Sequence, residues 1–421
     1  MKQIQEYLSD NNLHSPLQSA YRQFHSVETA LVRVQNDVLL ALDQRKEALL
    51  VLLDFSSAFD TIDHGILIDR LKHRFGLDGV VLKWLTSYLF ERSHVVKVRG
   101  ALSNPVVTGC GVPQGSVIGP LLYTLYSAPI ADIVSSHGLS SMLYADDTQI
   151  YVTYSAGDQQ AAILKINNCL RDIVSWACVN KLKINADKTE LIHFSSRFRT
   201  SIIPASAEIN GLNISEKATA RNLGVHMDHH LLLKDHLKIT CRSAMSAIRK
   251  IGQIRNFLDK KTTEKLIHAF VSSRIDWCNA LLFGLPEKDI KKLQIVQNSA
   301  ARLVERAKGR DPVTPMLRRL HWLPVQERIV YKILMLCHKV ITHKSPTYLF
   351  DIISSYLPVR SLRSSNKNYL TLPTTSTHTY GSRAFSSAAP VLWNKLPDHL
   401  RGVGGTDSFG RALKTYLFSK I

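Results

Sequence analysis

Leu143-Tyr144-Ala145-Asp146-Asp147-Thr148-Gln149-Ile150-Tyr151 sets an acidic pair inside an otherwise apolar segment. Two adjacent carboxylates lie between short runs with the β-branched and aromatic content of strands, so it reads as a tight hairpin with Asp146-Asp147 as its two-residue connection. Neighbouring Asp residues repel each other, and a protein that holds both ionised beside a buried sheet usually supplies a cation. An ordinary solvated turn has the same composition, because Asp is a common turn former. The two readings are separated by what else converges on the hairpin.

Upstream, Leu49-Leu50-Val51-Leu52-Leu53 is a continuous apolar run, as expected of a central strand buried on both faces. It ends on Asp54, a carboxylate that must be solvated, paired or metal-bound, because an unpaired buried charge is costly. Between Val106 and Pro120 the chain turns rich in Gly and Pro: Thr108-Gly109-Cys110-Gly111-Val112-Pro113-Gln114-Gly115-Ser116. Such a loop lets backbone approach a ligand closely, and a helix beginning near Ser116 would aim its positive end at the same place. It matches neither a Walker loop nor a dinucleotide fingerprint.

Around these landmarks the pattern predicts helices over Val27–Leu42, capped by Ser26, around Leu67, Leu71 and Phe75, and over Val80–Phe90 and Gln159–Asn180. Strands are expected at His94–Val98, Leu191–Phe194 and near Leu223-Gly224-Val225, with a hairpin around Asn210-Gly211. Beyond residue 311, helices over Gln326–Val340 and Gly410–Phe418 alternate with Ser/Thr-rich linkers such as Leu372–His378, and Trp322 and Trp393 read as core residues.

The 421 residues carry 53 Lys and Arg against 34 Asp and Glu, a net charge of +19. That excess points to a polyanionic partner, nucleic acid first. It is concentrated in residues 234–310, which hold 17 Lys and Arg against 7 Asp and Glu. Arg242, Arg249, Lys250 and Arg255 are the candidate phosphate contacts there. No uninterrupted apolar run of about 18 residues occurs and the N-terminus lacks an apolar signal core, so a soluble, intracellular, non-secreted protein with no membrane partner is expected. The six cysteines form no C-x-x-C pair and read as free thiols in a reducing compartment.

The order of the boxes resembles that of the reverse transcriptases, and more closely those of non-LTR (LINE-type) retrotransposons. The residues that carry it are Tyr21 through Ala30, Asp54 through His64, Gly111 through Pro120, Tyr144-Ala145-Asp146-Asp147, Leu182 through Phe194 and Asn222 through Val225. The resemblance implies an α+β right-hand polymerase: partial fingers at 1–48, a palm with an antiparallel sheet at 49–230, a basic helical thumb at 231–310, and a helical C-terminal extension at 311–421. The implied reaction is RNA-templated DNA synthesis from a primer end with dNTPs. Phosphodiester formation builds negative charge on both attacking and leaving oxygens, which two Mg²⁺ or Mn²⁺ ions about 3.5 to 4 Å apart would meet.

On that resemblance Asp54 and Asp146 bridge the ions, Asp147 completes the acidic cluster and the Phe55 carbonyl adds a ligand. Phe59 corresponds to the ring that excludes a 2′-hydroxyl. Gln114, Gly115 and Tyr144 line the nucleotide, Lys188 corresponds to a donor to the departing pyrophosphate, and Arg22 lies in a segment near nucleic acid. The family places such enzymes in the nucleus or cytoplasm. It also normally has more fingers sequence and an endonuclease upstream, so the chain reads as a 5′-truncated copy. The alternative is a catalytically inactive nucleic-acid-binding remnant lacking complete fingers.

Overall fold

The computed structural model describes residues 1–197, 205–356 and 368–420; part of the expected C-terminal extension, 357–367 and 421, lies outside them. The described chain forms two compact units. The first is built from Met1–Gln23, Leu49–His193 and a return that ends at Lys217. Its elements are α1 (Lys2–Asp10), β1 (Glu47–Leu53), β2 (Phe55–Ser56), α3 (His64–His73), α4 (Gly79–Leu89), β3 (Arg92–His94), β4 (Lys97–Val98), β5 (Ala101–Leu102), β6 (Val106–Thr108), α5 (Gly119–Tyr126), α6 (Pro129–Ser136), β7 (Ser140–Tyr144), β8 (Asp147–Tyr154), α7 (Gln159–Val179), β9 (Lys183–Ile184), β10 (Glu190–Phe194), β11 (Ser206–Ile209) and β12 (Leu212–Ser215).

Its centre is a four-stranded sheet in the order β10-β1-β8-β7, with β7 and β8 antiparallel. The apolar run of β1 takes an inner position, as its composition demands. Successive side chains of a strand face opposite ways, and in β1 Leu49, Val51 and Leu53 turn into the core formed with Ile150 and Tyr154 of β8 and with α3, α5, α6 and α7. Leu67, Leu71, Tyr123, Tyr126, Ile166, Leu170 and Ile173 supply the helical side of that core. Leu50 faces the other way and is also fully buried.

The second unit collects α2 (Val27–Asp43), β13 (Thr219–Asn222), β14 (Val225–Asp228), α8 (Lys234–Gln253), α9 (Lys260–Ile267), α10 (Ser273–Ile275), α11 (Glu287–Glu305), α12 (Thr314–Arg319), α13 (Val325–His343), α14 (Thr347–Phe350), α15 (Phe385–Asn394), α16 (Asp398–Arg401) and α17 (Thr406–Phe418). Helix α2 starts where the sequence says: the Ser26 hydroxyl accepts from Thr29 N, and the Thr29 hydroxyl accepts from Ser26 N. At its other end the Asp43 carboxylate accepts from Ser376 N, Thr377 N and the Thr377 hydroxyl. The stretch 372–378, read above as a linker, is therefore fastened at its end. Trp322 and Trp393 are both buried, as expected.

Three local readings are corrected. The expected strand His94–Val98 is two short pieces, Arg92–His94 paired with β6 and Lys97–Val98 paired with β5 across a turn at Arg99-Gly100. Leu223-Gly224 is the turn of the β13-β14 hairpin rather than part of a strand, because both residues have positive φ (45° and 86°) and Asn222 pairs with Val225. The connection of the β7-β8 hairpin is Ala145-Asp146, not Asp146-Asp147. Tyr144 pairs with Asp147, so Asp147 is the first residue of β8. Among the described residues no helix is long and apolar enough to cross a membrane.

Candidate functional site

Three segments of the first unit meet around the acidic hairpin. The first is the corner after β1, where the backbone of Asp54 is held from both sides: Asn185 N donates to its carbonyl at 2.9 Å, and Asp54 N donates to the Thr189 hydroxyl at 3.4 Å. The Thr189 hydroxyl in turn donates to the Asn185 carbonyl at 2.8 Å. The turn 185–189 is thus docked on Asp54 and carries Lys188, which is exposed. Asp54 Oδ2 is buried and has no hydrogen-bond partner. A buried, unpartnered carboxylate oxygen is an expensive feature, and a cation is the partner its chemistry calls for. Phe55 is buried in β2 and pairs with Ile184.

The second segment is the Gly-Pro loop, which is fastened to the chain just after Asp54. Gly111 N donates to the Ile62 carbonyl at 2.7 Å and Val112 N to the Phe59 carbonyl at 2.9 Å. Gly111 has φ +82°, and a Cβ there would fall 2.7 Å from the Asp60 carbonyl oxygen, so only glycine fits this approach. Gln114 Nε2 donates to Asp60 Oδ1 at 3.0 Å, and Gly115 is exposed with φ +80°. Helix α5 starts at Gly119, three residues later than expected, with Gly119 N donating to the Ser116 hydroxyl.

The third is the hairpin tip. Asp146 is half-buried and Asp147 exposed. Burial first, and then the charge of Asp54, holds the Asp146 carboxyl above its ordinary range. Burial, Asp146 and Asp54 together push Asp147 up to about 6. Tyr123 of α5 lies under the same charges: its phenol is raised by burial and by Asp146, Asp147 and Asp54. Its hydroxyl is buried without a hydrogen-bond partner. The Phe59 ring stacks on Tyr123 with centroids 4.7 Å apart and is half-exposed. Tyr144, at the end of β7, is also partly exposed.

Asp54, Asp146, Asp147, Phe59 and the loop of Gln114 and Gly115 therefore belong to one edge of one unit. The carboxylates are coupled but not fully gathered, since no group of three or more His, Cys, Asp or Glu side chains is arranged to hold a metal among the described residues. Mg²⁺ is commonly held by one or two carboxylates plus substrate phosphates, and the exposed tip leaves room for such ligands.

The coupling sets a pH dependence. A carboxyl whose folded pKa is raised favours the folded state while protonated; that contribution is complete below the ordinary value of 3.8 and is lost as pH rises through about 6. Without divalent ions, Asp147→Asn should therefore gain in Tm over the native chain as pH rises from about 4 to 7. Differential scanning fluorimetry in a chelator checks this, and an unchanging difference would contradict it.

Two candidate contacts have other work. Arg22 Nη1 donates to the carbonyls of Ser15 and Gln18 at 2.8 and 3.1 Å, which makes it a brace of its own loop. Arg255 is buried; its guanidinium donates to the carbonyls of Leu303, Leu258 and Val304 and so satisfies the C-terminal end of α11. Both placements have one cause: a guanidinium offers five donors in a fixed fork and readily collects backbone carbonyls. Arg242, Arg249 and Lys250 are exposed on α8. Composition could not flag Asn185, Thr189 and Tyr123, which are uncharged residues acting through backbone or burial.

The family profile for reverse transcriptase (RNA-dependent DNA polymerase) matches residues 1–227. The chain is 28% identical over 339 residues to a probable RNA-directed DNA polymerase from transposon BS of Drosophila melanogaster, covering 77% of this chain and 36% of that protein. It is 30% identical over 293 residues to a probable RNA-directed DNA polymerase from transposon X-element of the same fly, covering 68% and 31%. The chain thus spans about a third of the length of these curated relatives. Among solved structures, telomerase from Candida albicans aligns with 78% of this chain and 55% of its own at 14% identity, with a TM-score of 0.38, too distant to inform the site.

Proposed function

The chain belongs to the reverse transcriptase family, whose profile covers residues 1–227, and on that premise we propose that it is an RNA-directed DNA polymerase of a LINE-type element that extends a primer 3′-hydroxyl with dNTPs. One observation carries the proposal: the charge of Asp54 makes both Asp146 and Asp147 costlier to ionise at a single edge, and Asp146 adds to the cost at Asp147, while Asp54 Oδ2 is buried without a hydrogen-bond partner. The first unit then acts as palm and the cationic helices of the second as thumb. Asp54, Asp146, Asp147 and the Phe55 carbonyl would hold two Mg²⁺ or Mn²⁺ ions. Bound there, the ions would supply Lewis acidity for the attacking and leaving oxygens.

The protein's own groups do the rest. Phe59, backed by Tyr123, shapes the floor under the sugar. Gln114, Gly115 and Tyr144 border the nucleotide, and the exposed Lys188 ammonium donates toward the departing pyrophosphate. Arg242, Arg249 and Lys250 meet the phosphate backbone of the RNA template and DNA primer. In salt titrations of duplex binding, neutralising Arg242 or Lys250 should each lower the slope of log K against log salt by about 1. Arg255→Ala should instead lower Tm and leave that slope unchanged.

A second reading, nucleic-acid binding without turnover, is favoured by the incomplete gathering of the carboxylates. Primer extension on poly(rA)/oligo(dT) with dTTP and Mg²⁺ or Mn²⁺ separates the two. Extension by the native chain that disappears in Asp146→Asn supports the polymerase; duplex binding with no extension by either chain overturns it.

A further inference from the structure

Gln18 was not among the residues singled out by motif, yet it reaches 127 positions along the chain to the hairpin tip. Its Oε1 accepts from Ala145 N at 3.0 Å and its Nε2 donates to the Ala145 carbonyl at 3.2 Å. Oε1 also accepts from Ala20 N at 3.0 Å. The side chain is buried, with 6% exposure, so these bonds are made away from water, where an unmade partner is costly.

The backbone around Gln18 is part of the same attachment. Leu143 N donates to the Leu17 carbonyl at 3.0 Å and Ser19 N to the Leu143 carbonyl at 2.8 Å, a parallel bridge that lays residues 17–19 along β7. Arg22 braces the loop from behind through the carbonyls of Ser15 and Gln18.

The residue so held is unusual. Ala145 has φ +57°, a left-handed conformation that strains any residue with a Cβ and that glycine adopts freely. It stands immediately before Asp146 and within two residues of Asp147. A free alanine would leave this conformation, and the direction of the Asp146 side chain would change with it.

We infer that Gln18 is a positioning residue: its amide clamps the strained Ala145 peptide from both sides and so fixes where Asp146 and Asp147 point. Its effect on catalysis rests on the two-ion reading, whereas its hold on the turn does not.

The test combines primer extension with hydrogen exchange on Gln18→Ala, Gln18→Glu and the double variant Gln18→Ala/Ala145→Gly. Gln18→Glu keeps the acceptor for Ala145 N but sets a carboxylate against the Ala145 carbonyl. Both single variants should lose roughly 10- to 100-fold in kcat, the range expected for misplaced reacting groups, with KM for dTTP little changed and Tm lowered by the buried backbone groups left unpaired. Amide exchange should quicken at Ala145–Asp147 and not in β1. The double variant should recover most of kcat, because glycine takes the turn without a clamp.

Unchanged exchange at the tip overturns the inference, as does a loss of kcat that Ala145→Gly fails to restore. Should the native chain extend no primer while Gln18→Ala still quickens exchange at the tip alone, the polymerase reading fails and the positioning inference stands.

Discussion

Asp54→Asn is expected to lower primer extension by on the order of 10³-fold while leaving the fold intact. Asn is isosteric with Asp, and what anchors this residue is its backbone, through Asn185 and Thr189. The substitution removes a charge without releasing the corner. Because that charge raises the carboxyls of Asp146 and Asp147, its removal should also raise Tm in the absence of divalent ions. Lost activity with gained stability is the signature of a charge kept for function. A parallel fall in both would assign Asp54 a structural role.

Phe59→Val is the second large effect. The Phe59 ring is supported on its inner side by Tyr123 at 4.7 Å, and its carbonyl is fixed by Val112 N, so the half-exposed edge presents a firm surface. Trimming it to Val should open space for a 2′-hydroxyl. The ratio of kcat/KM for UTP to that for dTTP is expected to rise by about 10²-fold, the scale on which pocket shape discriminates small groups. The half-buried ring also packs, so a stability cost of about 1 to 2 kcal/mol accompanies the change. Equal losses for both nucleotides would mark Phe59 as core alone.

Much of this was legible in the sequence because the signals were local. A five-residue apolar run flanked by turns specifies β1, Ser26 specifies the start of α2, and Asn210-Gly211, both with positive φ, specifies the turn between β11 and β12. The acidic residues were legible because charge at the end of a buried strand demands an explanation. The register of the critical hairpin was not: two Asp residues look like the better turn, but Ala145 takes the left-handed position because Gln18 holds it there. No local rule contains a partner 127 residues away.

The cations show the same limit. Arg242 and Arg255 are equivalent in composition, yet one is exposed and the other is buried among the carbonyls at the end of α11. A charge count locates a basic region and leaves open which guanidiniums reach solvent. Leu223-Gly224 failed for a related reason: it was grouped with a strand although glycine at positive φ, packed 3.2 Å from the Trp277 indole nitrogen at its would-be Cβ, is a turn signal.

The central claim, that Asp54, Asp146 and Asp147 form one two-ion site, is tested most directly by counting bound Mn²⁺. Electron paramagnetic resonance titration with template-primer and dTTP present would compare the native chain with Asp54→Asn/Asp146→Asn. The native chain should bind two more tightly held ions than the double variant. Identical Mn²⁺ binding by the two chains would contradict it.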